Sequence, residues 1–240
     1  KYCNPKKYPE NYALTQYSLG NTYIKLSEFY KQYIYLAKAV MAFSEAAKFY
    51  TASKHPASYG HIHSSLCDAY YKLSEYAYSE ENLTKALDSC EKALQIYSFE
   101  KYPLNYAEIQ KTFGLASASI ARYRQAEDNL LHAINSFTAA LKVYNADKYS
   151  LQYITINMLI GDSYKSLSSY QQKEKNLNNA IAAYMSTLNI CGPDSYPGKY
   201  TLIKQRIGEA YEALSENENT SDNLEKALQA FEESLSGYAD

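Results

Sequence analysis

A period of 47 residues runs through this chain and restricts it to folds made by stacking one unit on the next. Tyr12, Tyr59, Tyr106, Tyr153 and Tyr200 form an unbroken column. So do Leu36, Leu83, Leu130, Leu177 and Leu224, and likewise Ala39, Ala86, Ala133, Ala180 and Ala227. Pro9, Pro56, Pro103 and Pro197 keep the same interval, with Ser150 in the one missing place. Looser columns fill in the unit: Leu19, Leu66, Phe113, Ile160 and Ile207; Gly20, Cys67, Gly114, Gly161 and Gly208; Tyr23, Tyr70, Ser117, Tyr164 and Tyr211. The 240 residues thus read as one domain of five repeats, 6–52, 53–99, 100–146, 147–193 and 194–240, with 1–5 as the tail of a preceding repeat. That tail is expected because Lys1-Tyr2-Cys3-Asn4-Pro5 resembles Asn189-Ile190-Cys191-Gly192-Pro193.

Within each copy the columns are separated by helical steps. Tyr12, Leu19, Tyr23 and Leu26 are seven, four and three apart, the spacing of one helix face, which predicts helix A from about Pro9 to about Ser27. Its opening proline suits the first turn, where a missing N–H costs nothing. Leu36, Ala39, Val40, Phe43, Ala47 and Tyr50 repeat the pattern and predict helix B over roughly Tyr33 to Thr51. Asn82, Asn129, Asn176 and Asn223 each precede a leucine of the Leu column. Only 8 glycines and 6 prolines are present, too few for a chain rich in tight β-turns, so an all-α fold is expected.

A lone helix pair has too little core to be stable and must bury its apolar face against the next copy. The alanine and glycine columns mark places where backbones approach closely; the leucine and aromatic columns fill the space between. Copy two departs twice, with Cys67 in the glycine column and Cys90 where the others carry a large aromatic. This reads as volume compensation inside one layer. The alternative, a thiol pair able to oxidise, requires Cα atoms within about 7 Å.

Leu19-Gly20-x-x-Tyr23 followed by Ala39-x-x-x-Phe43-x-x-Ala46 resembles the tetratricopeptide repeat, and the match recurs at Leu66-Cys67-x-x-Tyr70, Ile160-Gly161-x-x-Tyr164 and Ile207-Gly208-x-x-Tyr211. The usual member has 34 residues, so each copy here carries 13 more. The opening His55-Pro56-Ala57-Ser58-Tyr59 is also similar to the longer repeats of kinesin light chains. The resemblance implies a right-handed superhelical α-α solenoid of five helix-turn-helix repeats whose concave surface, lined mainly by A helices, binds a peptide or protein segment. The positions it assigns to that surface are Tyr17, Asn21, Ile24 and Lys25 in copy one and Ser64, Asp68, Tyr71 and Lys72 in copy two. Copy three supplies Lys111, Leu115, Ala118 and Ser119, copy four Met158, Asp162, Lys165 and Ser166, and copy five Gln205, Glu209, Glu212 and Ala213.

Chemistry and charge exclude other classes. A net charge of −2 provides no field for neutralising many phosphates, so nucleic acid is not an expected partner. No apolar run approaches the roughly 20 residues that span a bilayer, so no membrane role is expected. His63 and Cys67 share a helix face, but two ligands are fewer than zinc takes, and His63 reads as a surface histidine beside a packed cysteine. No catalytic set, metal site or cofactor site is expected. Asn82-Leu83-Thr84 and Asn219-Thr220-Ser221 match the glycosylation pattern, yet Leu83 is a predicted core position. Four irregularly spaced cysteines suggest a reducing, cytoplasmic setting. The function expected is a non-catalytic protein-interaction scaffold; the alternative is a self-assembling or regulatory repeat module, pairing through uncapped ends or attached to an effector domain in a longer protein.

Overall fold

The structure, a computed structural model, describes residues 5–216 and 219–236 and is all-α over them. Ten helices follow in order: α1 (Pro9–Ser27), α2 (Gln32–Ala47), α3 (Pro56–Ser74), α4 (Ser79–Leu94), α5 (Pro103–Ile120), α6 (Ala126–Leu141), α7 (Ser150–Leu167), α8 (Lys173–Met185), α9 (Pro197–Ser215) and α10 (Thr220–Ser236). Odd-numbered helices are the A helices and even-numbered ones the B helices of successive copies. The expected tail over 1–5 falls, but for Pro5, outside the described residues.

The chain groups into two compact units, Lys1–Tyr123 and Arg124–Asp240, divided in the turn between the two helices of copy three. In the first unit α1 packs on α2, α2 on α3, α3 on α4, and α4 on α5, while α3 also touches α5. In the second, α6 packs on α7, α7 on α8, α8 on α9, and α9 on α10. Each is a run of helix hairpins stacked in chain order, the arrangement of an α-α solenoid.

The A helices start where Pro9, Pro56, Pro103 and Pro197 stand. Four of the five end at or just before a buried serine whose hydroxyl donates to the carbonyl three residues back: Ser27 to Ile24, Ser74 to Tyr71 and Ser168 to Lys165 at 2.6 Å, and Ser215 to Glu212 at 2.7 Å; α5 has Ala121 in that place. The B helices stop earlier than the spacing predicts. α2 closes at Ala47, where Lys48 and Phe49 donate to the carbonyls of Glu45 and Ala46 in a tightened last turn. Tyr50 is thus not the next rung of a helix face. It belongs to a connector in which Tyr50 meets His55, Tyr97 meets Tyr102 and Tyr144 meets Tyr149, all edge to face with centroids 5.2, 5.4 and 5.4 Å apart. Six of the 28 tyrosines therefore sit in or directly before this connector: these five plus Tyr196, whose carbonyl lies 3.9 Å from Cys191 Sγ.

Each A-to-B turn bends through one left-handed residue: Lys31, Tyr78, Gln125, Gln172 and Asn219, with φ between 41° and 50°. Such a conformation costs about 1–2 kcal/mol for a residue with a side chain. The asparagine column offsets it. Asn82, Asn129 and Asn176 reach back with Nδ2 to the carbonyls of Ala77, Arg124 and Gln171 at 2.7, 2.9 and 2.7 Å, satisfying the group just before the bend. Asn82 is buried in doing so, which removes it as a glycosylation acceptor.

The core repeats one contact. Phe43 of α2 lies against Gly20 of α1, and a Cβ added there would stand 2.5 Å from the ring. Phe231 and Gly208 repeat the fit at 2.6 Å, and Tyr184 covers Gly161 in the same way. In copy two the same columns hold Cys67 and Cys90, joined as a disulfide with Cα atoms 5.2 Å apart. The alternative of a joined thiol pair thus holds in place of simple volume compensation: a covalent bridge stands where other copies seat a ring. Disulfides persist in oxidising surroundings, which weighs against the reducing setting expected from the sparse cysteines.

Reduction should therefore lower the stability of the first unit by about 2–4 kcal/mol. Urea unfolding with and without reductant measures this. In the variant Cys67→Gly plus Cys90→Phe, which installs the pair of copy one, the reductant effect should vanish. An unmodified protein indifferent to reductant would contradict the bridge.

Candidate partner-binding surfaces on the A helices

In the first unit five of the assigned residues, Ser64, Asp68, Tyr71, Lys72 and Ser119, line two clefts along α3 and α5. One, of about 320 Å³, is lined by Ser64, Ser65, Asp68 and Lys72 of α3 and Glu108 and Thr112 of α5, with Cys67 and Ile109 at its base. Asp68 and Lys72 form an ion pair at 2.8 Å, and Lys111 pairs with Glu108 beside it. The other cleft, of about 310 Å³, holds Tyr71, Ser74, Glu75, Ser119, Arg122 and Tyr123. Tyr71 and Lys72 are adjacent in sequence but about 100° apart around the helix, so each serves a different cleft. Burial, helped by Glu75, raises the Tyr71 phenol above its ordinary value, against a hydrogen bond with Ser119 that lowers it.

In the second unit Asp162 and Lys165 of α7 meet Gln205 and Glu209 of α9, four assigned residues brought into one network. Asp162 Oδ1 accepts from the Tyr184 hydroxyl at 2.7 Å and from Arg206 Nη1 at 2.6 Å. Lys165 pairs with Glu209, whose other carboxylate oxygen accepts from Gln205 Nε2 at 3.0 Å. Burial raises the Asp162 carboxyl despite these cations and donors. Burial is the largest single influence on Glu209 and acts upward, but the hydrogen bond and charge of Lys165, with Gln205 and Arg206, together outweigh it and hold that carboxyl below the usual range. The Tyr184 hydroxyl is held well above its usual value, by burial first and by Asp162 second.

Other assigned positions do not gather. Tyr17 is half-buried with its ring 5.6 Å from that of Phe43, Asn21 is half-buried, and Lys25 is exposed. Leu115 is half-buried on α5, while Glu212 is exposed on α9. Met158 is a correction: it is buried, packed with Ile154, with Tyr184 of the B helix α8 and with Ile203 of the neighbouring A helix α9, because its apolar side chain joins the core those helices share. Arg206 and Tyr184 were not foreseen. The signal for Tyr184 was legible, since it is the one phenol among Phe43, Phe137 and Phe231; Arg206 takes a place held elsewhere by Ser18, Ser65, Thr112 and Leu159.

His63, expected at the surface, is buried, with its ring 4.3 Å from that of Tyr59 and its Nδ1 without a hydrogen-bond partner. Its column otherwise carries Gln16, Gln110, Asn157 and Lys204.

No known protein family and no curated protein matches this chain. Its structure is similar to the crystal structure of MamA, with a TM-score of 0.47 and 19% identity over 85% of this chain and 88% of that one. A likeness of that degree says nothing of ligand or partner.

Burial first, and then the Lys92 charge, pull the His63 pKa down to about 4, with Asp88 opposing them. The unfolded chain therefore takes up this proton first, near pH 6.5, and stability falls as pH drops from 6.5 towards 4. The part due to His63 should be about 2–3 kcal/mol. On acidification across that range the urea midpoint of the native chain should fall relative to that of His63→Gln, whose glutamine takes up no proton; parallel curves would contradict the assignment.

Proposed function

We propose that the chain is a non-catalytic scaffold of the tetratricopeptide type that binds a peptide or protein segment across the A-helix surfaces of its repeats. The observation that carries this reading is the pair of clefts between α3 and α5, lined by hydroxyls, carboxylates and an ammonium group able to meet main-chain and side-chain groups of a bound segment. The titratable groups on the A helices support a non-enzymatic role. Asp162 is tied to Tyr184 and Arg206, and Glu209 to Lys165, so they hold helices together and are not poised for proton transfer. A net charge of −2 argues for protein over nucleic acid, and no helix among the described residues is long and apolar enough to cross a membrane.

Tyr71→Ala combined with Lys72→Ala alters both clefts at once. Quantitative affinity purification with mass spectrometry should show specific partners of the native chain lost from this variant, while its helix content is unchanged. An identical partner set would move the binding surface off the α3–α5 face.

A further inference from the structure

Copies one, four and five hold their helix pair with a ring seated on glycine, so a hairpin of this kind needs no covalent bond to keep its spacing. Copy two has neither ring nor glycine at that seat and carries the Cys67–Cys90 bridge instead. The bridge spans a sequence separation of only 23, between two helices that already pack on each other. Its surroundings say more than its loop. Cys67, Cys90, Ala93 and Tyr97 form one buried cluster with Ile109 of α5, and Phe113 of α5 packs against it. The bridge thus stands where α3, α4 and α5 meet, and Cys67 and Ile109 form the base of the cleft whose walls carry Asp68, Lys72, Glu108 and Thr112. Cys90 is fully buried, and Cys67 is the end of the bridge that borders the cleft.

We propose that this bridge is a redox switch for the cleft: joined, it holds the α3 wall against α4 and α5, and opened by a dithiol reductant, it frees that wall. The exchange takes two steps. A thiolate of the reductant attacks Cys67 Sγ, the Sγ–Sγ bond breaks, and Cys90 leaves as a thiolate that takes up a proton. The second thiolate of the reductant then displaces Cys67, which is protonated in turn; the reductant ends as a disulfide, oxidised by two electrons, and the bridge as two thiols. The two sulfurs, no longer bonded, must stand further apart, and no aromatic side chain is there to fill the seat. The seats of Phe43, Tyr184 and Phe231 have no second state of this kind. The other cleft, with Tyr71, Ser119 and Arg122, borders a different cluster, Leu83, Ala86, Ala116 and Ile120, which holds no cysteine. That the wall under this control meets a partner rests on the proposed function; the control itself does not.

The test treats the full chain with dithiothreitol, a dithiol, in the absence of denaturant, alkylates the thiols formed and locates them by mass spectrometry. Cys67 and Cys90 should both be labelled while helix content is kept, and buried Cys191 should stay unlabelled. Hydrogen exchange should accelerate on reduction at residues 64–68 of α3 and 108–112 of α5, at least about tenfold more than at residues 116–120 beside the other cleft. Oxidised glutathione should restore the slow exchange. Cys67→Ser plus Cys90→Ser should exchange like the reduced chain with or without reductant, and Cys67→Gly plus Cys90→Phe like the oxidised chain in both conditions. A bridge that opens only when urea unfolds the chain, exchange indifferent to reduction, or equal acceleration at both sets of residues would overturn the proposal. The readout needs no partner: unchanged partners in Tyr71→Ala plus Lys72→Ala would move the binding surface, whereas unchanged exchange would remove the switch.

Discussion

Where an A helix crosses its B helix, an aromatic ring of B rests on a glycine of A, and this contact sets the distance between the two helices. Gly20 with Phe43, Gly161 with Tyr184 and Gly208 with Phe231 leave no room for a Cβ. The alanine column lies one helical turn from the ring, fully or almost fully buried in every copy, and it closes the same approach from the other side. With that spacing set, the leucines of each B helix fall at the depth needed to meet the next A helix. A change at the seat would shift every column built on it.

Variation at this one contact is where the copies acquire distinct properties. Cys67 and Cys90 replace a packed ring by a covalent bridge at the base of the polar cleft between α3 and α5. Tyr184 keeps the ring but extends it by a hydroxyl that reaches Asp162, so the core contact of copy four also anchors the charged network between α7 and α9. Core and surface are coupled there: the group that spaces the helices also orients a carboxylate on the face proposed to bind partners.

The helix order, the A-helix starts and the buried columns were legible because period and helical spacing act on the same residues; α1 begins and ends at Pro9 and Ser27 as the pattern requires. The end of α2 was not, because Tyr50 continues the apolar spacing while its ring serves the connector. The left-handed bends at Lys31, Tyr78, Gln125 and Gln172 were hidden, since none of these residue types announces a positive φ. Of the candidate surface, the α7–α9 cluster follows from the columns, whereas the burial of Met158 and His63 depends on how each A helix is rotated against its neighbours, which spacing alone leaves open.

Seating of the ring on glycine is tested most directly by a double-mutant cycle on Gly20 and Phe43, read by urea unfolding. Gly20→Ala gains about 1 kcal/mol of helix propensity, so a purely local view expects stabilisation. Here it should instead destabilise, because the added methyl meets the fully buried Phe43 ring. In a Phe43→Leu background the same change should be much less harmful, a coupling of about 1–3 kcal/mol. Effects that add to within about 0.5 kcal/mol, or a stabilising Gly20→Ala, would contradict the account.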